Sequence, residues 1–356
     1  MRNIFEQFKS VKALVVGDVM LDHYIFGQVN RISPEAPVPI VDIVKTENRL
    51  GGAANVAANL KALGATVYLA SVTGDDDDGH ILKELVQHHG ISGESIVLDQ
   101  DRITTVKSRV LCRNHQMLRF DKEHSTPLNE NTELALLDYI IECISQYEPN
   151  VIVFQDYNKG VLSQRIIANT MHHARKNNIA TAIDPKKDNF FSYTGCTLFK
   201  PNLREAAEGL GIKINPDDIN SLREADAMLR AMINNRYTIL TMSEKGIFVA
   251  TPNNSEIIPS YQRNIVDVSG AGDTVISVMA AGLALGLDPF ATAELANIAA
   301  GLVCEAVGVA PLNAEALYHE AAKFLDADTT ENALSAEPEP DFDFGEEDEI
   351  TISPPY

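Results

Sequence analysis

Short apolar runs that alternate with helix-length segments restrict the fold of this 356-residue chain more than any other feature. The runs "ALVVG" (13–17), "TVYLASVTG" (66–74), "NVIVFQD" (150–156) and "YTILTMS" (237–243) are typical of buried strands. Strands that alternate with helices build a mostly parallel sheet with helices on both of its faces. The sequence therefore predicts an α/β, doubly wound fold.

Two further segments do not follow this alternation. Residues 19–45 contain proline and β-branched residues, which predict short strands and loops, whereas residues 103–122 alternate in polarity as strands do. We predict that the two segments form a small separate sheet beside the main one.

Polar residues stand where the predicted strands end. They are Asp18, Asp156, Asp184, Asn202 and Ser243. Because ligands of open α/β sheets bind at the carboxyl ends of the strands, we expect these residues to lie around one active site.

The stretch "DVSGAGDT" (267–274) precedes the apolar run "VISVMAAGLALGL". Gly270, Ala271 and Gly272 would let an anion approach the free N–H groups of a helix N-terminus. Asp273 in the first turn could then accept the proton of an attacking hydroxyl, and we expect the helix dipole to lower its pKa. The alternative is a structural one, in which Asp273 is an N-cap after a glycine turn.

A second glycine pair lies in "GGAANVAANLKALGA" (51–65). Gly51 and Gly52 would let a polyol lie against the backbone, Asn55 could bond its hydroxyls, and Asp18 could accept from them. The structural alternatives are a tight helix entry for the glycines and a strand-ending turn for Asp18.

Asn202 and Glu205 in "FKPNLREA" (199–206) have the spacing of a helix capping box. The same oxygens could hold a hydrated magnesium ion.

Residues 241–246, "TMSEKG", follow a predicted strand within reach of nucleotide phosphates. The sequence contains no GxxxxGK[ST] and no GxGxxG motif, so any ATP must bind through another kind of loop. We interpret the acidic stretch "GDDDDGH" (74–80) as a solvated loop and helix cap, with a metal site as the alternative.

The charge is uneven, and it bears on partners. Of the net charge of −21, eleven acids lie between Asp326 and Glu349, after the last basic residue. Residues 326–356 therefore predict an acidic disordered tail, either a solubilising extension or a docking peptide. The remaining chain is also acidic, which disfavours nucleic acid and anionic membranes as partners.

The cysteines and the hydropathy bear on location. The four cysteines lie far apart and form no CxxC pair, so we expect reduced, mostly buried thiols. No stretch reaches the ~18 apolar residues of a membrane span. We expect a cytoplasmic protein.

Taken together, the segment 51–65 and "DVSGAGDT" resemble the two signatures of the ribokinase-like (PfkB) carbohydrate kinases, over residues 1–325. The resemblance implies a kinase domain whose lid is the small sheet of 19–45 and 103–122. It implies Asp273 as catalytic base, the amides of Gly270, Ala271 and Gly272 as anion hole, and magnesium held through water by Asn202 and Glu205. It also implies ATP as co-substrate, bound by Lys200, Asn202, Ser243, Glu244, Gly246, Gly272 and Asn297.

Four shorter stretches are similar to the D-glycero-β-D-manno-heptose 7-phosphate kinases. They are "NRISPEAPVPIV" (30–41), "RVLCRNHQMLRFD" (109–121), "DYNKG" (156–160) and "DPK" (184–186). This resemblance implies ATP-dependent phosphorylation of the anomeric O1 of the heptose 7-phosphate, in ADP-heptose synthesis for lipopolysaccharide.

A sugar that already carries a phosphate needs cations in an acidic protein. Our candidates are Arg109, Arg113, Arg119 and Lys159, with Asp156 beside them. The alternative for Arg109 and Arg113 is an exposed face of a lid strand. Three residues depart from the common pattern: Ser243 stands where glycine is common, and Gln155 and Asn158 change the usual "SDYGKG".

Other functions stay open at this point. They are another PfkB-type kinase of the ribokinase or fructose-phosphate kinase kind, a non-catalytic sugar-binding regulator, and an acidic scaffold that acts through its tail. We further expect a homodimer through the lid. Because the chain ends in a tail, we expect a separate nucleotidyltransferase to act downstream. A monovalent cation requirement is left open.

Overall fold

The computed structural model describes residues 2–324, with gaps at 95, 114 and 262. The predicted acidic tail, 326–356, lies outside the described residues. The described strands are β1 (Lys12–Gly17), β2 (Val19–Ile32), β3 (Pro39–Gly52), β4 (Thr66–Gly74), β5 (Ile96–Asp99), β6 (Val106–Cys112), β7 (His115–Lys122), β8 (Val151–Gln155), β9 (Ala180–Asp184), β10 (Leu198–Phe199), β11 (Tyr237–Thr241), β12 (Ile247–Ala250) and β13 (Ser255–Ile258).

The helices follow the predicted alternation. They are α1 (Arg2–Phe8), α2 (Ala53–Ala62), α3 (Asp77–His88), α4 (Glu130–Tyr147), α5 (Gln164–Lys176), α6 (Leu203–Leu210), α7 (Ile219–Ile233), α8 (Ala271–Ala284), α9 (Pro289–Val303) and α10 (Ala314–Phe324). Asp76 caps α3 by accepting from the Gly79 amide, so the acidic stretch 74–80 includes the predicted helix cap.

The main sheet has nine strands in the order β13-β12-β11-β10-β9-β8-β1-β4-β5. Neighbouring strands from β11 to β5 run parallel, and β12 runs against both β11 and β13. Apolar side chains cover both faces, with α2, α8 and α9 packed on one and α4, α5 and α7 on the other. The predicted doubly wound, mostly parallel architecture is confirmed.

Four strands form the small sheet, in the order β3-β2-β6-β7, as predicted for 19–45 with 103–122. The prediction of short strands and loops for residues 19–45 is wrong, since β2 and β3 each run for 14 residues. Shifts of register at Phe26/Gly27 and Val29/Arg31 let the paired strands bend and continue. The prolines interrupt neither strand, because Pro34 and Pro37 lie in the connection and Pro39 is the first residue of β3.

Helix α8 explains the apolar run after the glycine motif. Its residues from Asp273 to Gly282 are all buried, because α2 and α9 pack against it above the sheet. Among the described helices, none combines the length and the apolar character that a membrane crossing needs. The four cysteines are free thiols and are buried, as the sequence predicts.

Candidate active site

The glycine motif forms the N-terminus of α8. Gly270 is the N-cap in a left-handed conformation with φ of 83°, which a residue with a side chain rarely adopts. The Ala271 amide donates to the Val268 carbonyl over 3.3 Å. Within the described part of the chain, the amides of Gly272 and Asp273 have no such partner. Those two N–H groups are therefore free to bind an anion.

The open side of this helix end faces a lysine. A Cβ atom on Gly272 would meet the Lys200 Nζ at 3.7 Å. Lys200 is buried at 2% exposure and pairs with Asp184 Oδ2 over 3.0 Å. The free amides and the ammonium group thus lie side by side, as binding of a phosphoryl group requires.

Asp273 is not a helix cap. Its side chain makes no capping hydrogen bond and turns toward three other elements, so the structural alternative for this residue is wrong. Asn55 Nδ2 donates to its Oδ2 over 2.8 Å, while Gln155 Nε2 and the Tyr157 hydroxyl donate to its Oδ1 over 3.0 and 2.9 Å. The carboxylate is 4% exposed and fixed in position by these donors.

The pKa of Asp273 is raised to about 6. Burial is the largest cause, the Asn55 and Tyr157 hydrogen bonds and the Lys200 charge act against it, and Asp184 adds to it. Our expectation that the helix dipole lowers this pKa is therefore wrong, because desolvation outweighs it. A carboxyl group with a pKa of about 6 is still mostly ionised at pH 7 and is well matched to a general base.

One cavity of about 1070 Å³ joins the end of α8 to the loops after β10 and β11. Its lining contains every residue that the sequence assigns to nucleotide, metal or catalysis: Lys200, Asn202, Glu205, Ser243, Glu244, Gly246, Gly270, Ala271, Gly272, Asp273 and Asn297. Asn297 also donates to the Pro259 carbonyl over 2.8 Å. The expected meeting of strand-end residues thus holds for Asp184, Asn202 and Ser243, which all line this cavity.

Asn202 and Glu205 form the capping box of α6. The Asn202 side chain accepts from the Glu205 amide over 2.8 Å, and Glu205 accepts from the Asn202 amide over 2.9 Å. The other Glu205 oxygen pairs with Lys186. A carboxylate has about four lone-pair sites, so Glu205, which lines the cavity, can accept further hydrogen bonds. This fits a hydrated magnesium ion held through water, and the described residues contain no cluster of three His, Cys, Asp or Glu that would bind a metal directly.

Asp18 and Asp156 lie outside the cavity lining and organise the loop after β8. Asp18 accepts from the amides of Tyr157, Lys159 and Val161 over 2.8 to 3.1 Å. Burial, with Asp156 nearby, raises the pKa of Asp18 to about 6. Asp156 accepts from the Asn158 amide, from Asn189 and from the Tyr193 hydroxyl. Asn158 is left-handed, with φ of 53°, as the turn requires. A sugar-binding role for the two aspartates stays a prediction.

The glycine pair at 51–52 packs against carboxyl groups and backbone. Gly51 faces the Asp22 side chain, and Gly52, with φ of 59°, faces the Asp18 carbonyl. Asn55 is the member of this segment that contacts Asp273, through its hydrogen bond to the carboxylate. Direct contact of the glycines with a polyol stays a prediction.

Of the four predicted phosphate-binding cations, Arg109 and Arg119 lie opposite each other on β6 and β7, and three of the four are already in ion pairs. Arg109 is buried in an ion pair with Asp22. Arg119 pairs with Asp121 over 2.6 Å, and Lys159 pairs with Glu123 over 2.8 Å. Arg113 is exposed in the β6–β7 turn with φ of 49°. The exposed-face alternative therefore fits Arg113 but not Arg109.

Several residues in and around the site were not assigned a role from the sequence. They are Asp22, Lys107, Gln155, Tyr157, Asp184 as a partner of Lys200, and Lys186. Lys107 had a signal, since it stands two residues from Arg109 on a strand and so shares its face. Gln155 and Tyr157 also had a signal, since they flank Asp156 at the carboxyl end of β8, the edge of the sheet where ligands bind. The pairing of Asp22 with Arg109 joins residues 87 positions apart and had no local signal.

A doubly wound sheet that brings a buried carboxylate, free helix amides and an ammonium group to one cavity defines a phosphoryl-transfer enzyme of the sugar-kinase class. The model of the pfkB family of carbohydrate kinases matches residues 11–316, and the chain belongs to this family.

Two bacterial proteins are similar in sequence to most of this chain. The bifunctional protein HldE of Pelobacter propionicus is 41% identical over 324 residues, which cover 89% of this chain and 66% of that protein. HldE of Syntrophotalea carbinolica is 39% identical over 320 residues, covering 90% and 64%. The chain thus spans about two thirds of the length of these relatives.

Solved structures agree on the fold. Phosphofructokinase-2 from Escherichia coli, in complex with substrates and products, has a TM-score of 0.72 at 15% identity and covers 88% of this chain and 99% of its own. Arabidopsis thaliana ribokinase, complexed with ribose and ATP, has a TM-score of 0.67 at 14% identity and covers 88% and 98%. These likenesses show a ribokinase-like fold.

Proposed function

We propose that this kinase transfers the γ-phosphoryl group of ATP to the anomeric O1 of D-glycero-D-manno-heptose 7-phosphate, giving the 1,7-bisphosphate. The observation that carries the chemistry is the meeting of the Asp273 carboxylate, the free amides of Gly272 and Asp273, and Lys200 at one end of the cavity. The choice of sugar is supported by the 39–41% identity to two HldE proteins and by the motifs shared with the heptose kinases.

In the proposed reaction, Asp273 accepts the proton of the attacking hydroxyl while Asn55 and Gln155 hold its carboxylate in place. The helix amides and Lys200 take up the charge that develops on the transferred phosphoryl oxygens. The pKa of about 6 makes the base available at neutral pH. Magnesium, when bound, would offset phosphate charge, and Asn202 and Glu205 would hold its waters.

The remaining proposals concern setting and assembly. We propose a homodimer through the lid, supported by exposed apolar side chains on the small sheet and its β2–β3 connection: Ile32, Val38, Ile43, Val44, Met117, Leu118 and Phe120. We further propose a kinase domain of residues 1–325 with an acidic disordered tail, a cytoplasmic setting, and a separate nucleotidyltransferase that acts downstream.

The dimer has its own test. Leu118 is 57% exposed on β7, so Leu118→Glu should convert the dimer to a monomer in light scattering without lowering Tm. A parent chain that is already monomeric at micromolar concentration would contradict the proposal.

The reaction is tested with a panel of sugars and sugar phosphates, ATP and magnesium. We expect the heptose 7-phosphate to give the highest kcat/KM, and Asp273→Asn to lower kcat by about 10²–10⁴ while substrate binding persists. A higher kcat/KM on ribose or a fructose phosphate would favour the other kinases. Phosphorylation of no member of the panel would favour a sugar-binding regulator.

A further inference from the structure

Among the described cations near the proposed sugar-binding side of the site, Lys107 differs from Arg109, Arg119 and Lys159 in having no ion pair. It lies in β6, on the lid, and its neighbours across the sheet are Asp22 on β2 and Asp121 on β7. Residues directly opposite on neighbouring strands share a face, so Lys107, Arg109, Arg119 and these two carboxylates form one charged surface.

The carboxylates of that surface are already engaged. Asp22 pairs with Arg109, and Asp121 pairs with Arg119. Arg49 and Glu47 on β3 share this face and pair with each other, so Lys107 is left without an ion-pair partner. Within the described chain, no carboxylate forms an ion pair with Lys107. Burial lowers the pKa of Lys107, with Asp22 acting against this, so the ammonium group is desolvated without a direct partner.

The position of this charge relates it to the reaction. The Lys107 Nζ lies 4.9 Å from the centre of the Tyr157 ring, and the hydroxyl of the same ring donates to Asp273. One phenol ring and one hydrogen bond therefore separate the ammonium group from the catalytic carboxylate. Lys186, the other ammonium group near this ring at 5.4 Å, is already paired with Glu205.

We propose that Lys107 binds the non-transferred phosphate of a phosphorylated sugar whose hydroxyl is at Asp273. This inference rests on the proposed function and names a residue that the sequence did not assign. A phosphomonoester dianion would supply the partner that Lys107 lacks, while Arg109 stays with Asp22. The residue acts in the selection of phosphorylated over unphosphorylated acceptors.

The test compares each sugar phosphate of the panel with its unphosphorylated counterpart. In Lys107→Met we expect kcat/KM for the phosphorylated acceptor to fall about 10- to 100-fold, mainly through KM, as for a lost charge-assisted hydrogen bond. The unphosphorylated counterpart should change less than about 3-fold, and Lys107→Arg should recover most of the loss. Lys122→Met is the matched control, because Lys122 is a lid lysine already paired with Asp76 and Asp78, and it should leave the ratio of the two substrates unchanged.

Direct binding gives a second measurement. Calorimetry without ATP should show the phosphorylated sugar binding about 10- to 100-fold more weakly to Lys107→Met, with a smaller dependence on salt. An equal loss on both acceptors, or a parent enzyme with no preference for phosphorylated acceptors, would overturn the inference. A parent that prefers a different sugar phosphate would reject the heptose assignment alone, since the Lys107 ratio can be measured on that pair.

Discussion

Replacing Tyr157 with phenylalanine tests how the base is tuned. The change removes one hydroxyl that donates to Asp273 over 2.9 Å and keeps the ring beneath Lys107. This hydrogen bond lowers the pKa of Asp273 against the larger effect of burial. A hydrogen bond to a charged group contributes about 1.5–3 kcal/mol, and one pKa unit corresponds to about 1.4 kcal/mol. With partial replacement by water, we expect the pKa to rise by about one unit.

The assay is the pH dependence of kcat/KM, which reports ionisations of the free enzyme. Since the ionised carboxylate is the active form, the acid limb of the parent should have its midpoint near pH 6. The limb of Tyr157→Phe should lie near pH ~7, so that at pH 6 its kcat/KM falls about fivefold relative to the parent, with little difference above pH ~8.5.

A matched control is available in the same fold. Tyr193 donates to the buried Asp156 over 2.9 Å, so Tyr193→Phe removes an equivalent hydroxyl from a carboxylate that is not the base. Its acid limb should stay with that of the parent, and titration of the nucleotide is common to all three enzymes. An unmoved limb in Tyr157→Phe, or a loss that is equal at every pH, would refute the role given to this hydrogen bond.

Three further perturbations have defined outcomes. The pKa of Asp273 is about 6 in the folded protein against an ordinary 3.8, so the protonated carboxyl group stabilises the parent below pH ~4, and this stabilisation is lost as the pH rises through 6. Asp273→Asn does not titrate, and its free energy of unfolding should therefore gain about 3 kcal/mol relative to the parent between pH 4 and pH 8 in chemical denaturation. A difference that stays constant with pH would contradict the raised pKa. Gly272→Ala should keep or raise Tm, because alanine favours a helix, yet lower kcat at least ~10-fold by placing a methyl group beside Lys200; an unchanged kcat would remove the anion site from this helix end. Asp18→Ala should lower the free energy of unfolding by about 2–4 kcal/mol, since three loop amides, one of them at the buried Val161, lose their acceptor; a loss of sugar affinity without destabilisation would instead favour the sugar-binding prediction.

Much of the fold could be predicted from the sequence, because strand and helix periodicities are local signals. The main-sheet strands at 13–17 and 66–74 are confirmed nearly to the residue. The length of β2 could not be predicted, since it depends on pairing with β3 across a bend at Gly27. The two-residue strand β10 likewise exists through its neighbours β9 and β11 rather than through its own propensity.

The helix end of the candidate site was also predictable, because a glycine motif before an apolar helix specifies a helix N-terminus by itself. The electrostatics were not, since the direction of the Asp273 pKa shift depends on burial by α2, β8 and the Tyr157 loop. The ion pairs of the cations predicted to bind the sugar phosphate could not be predicted for a related reason. The arginines of the lid predicted a phosphate site. Carboxylates such as Asp22 and Asp121, which the sequence did not single out, decide which of the cations are already in ion pairs.

The way Asp18 holds the loop after β8 has a consequence for how such enzymes diversify. Its carboxylate binds three peptide N–H groups of residues 157–161 and no side chain of that loop. An amino-acid exchange at Lys159, of which Asp18 holds the amide alone, can thus leave the path of the loop unchanged. Side chains on this loop can therefore change without moving the backbone that carries Tyr157 to the cavity.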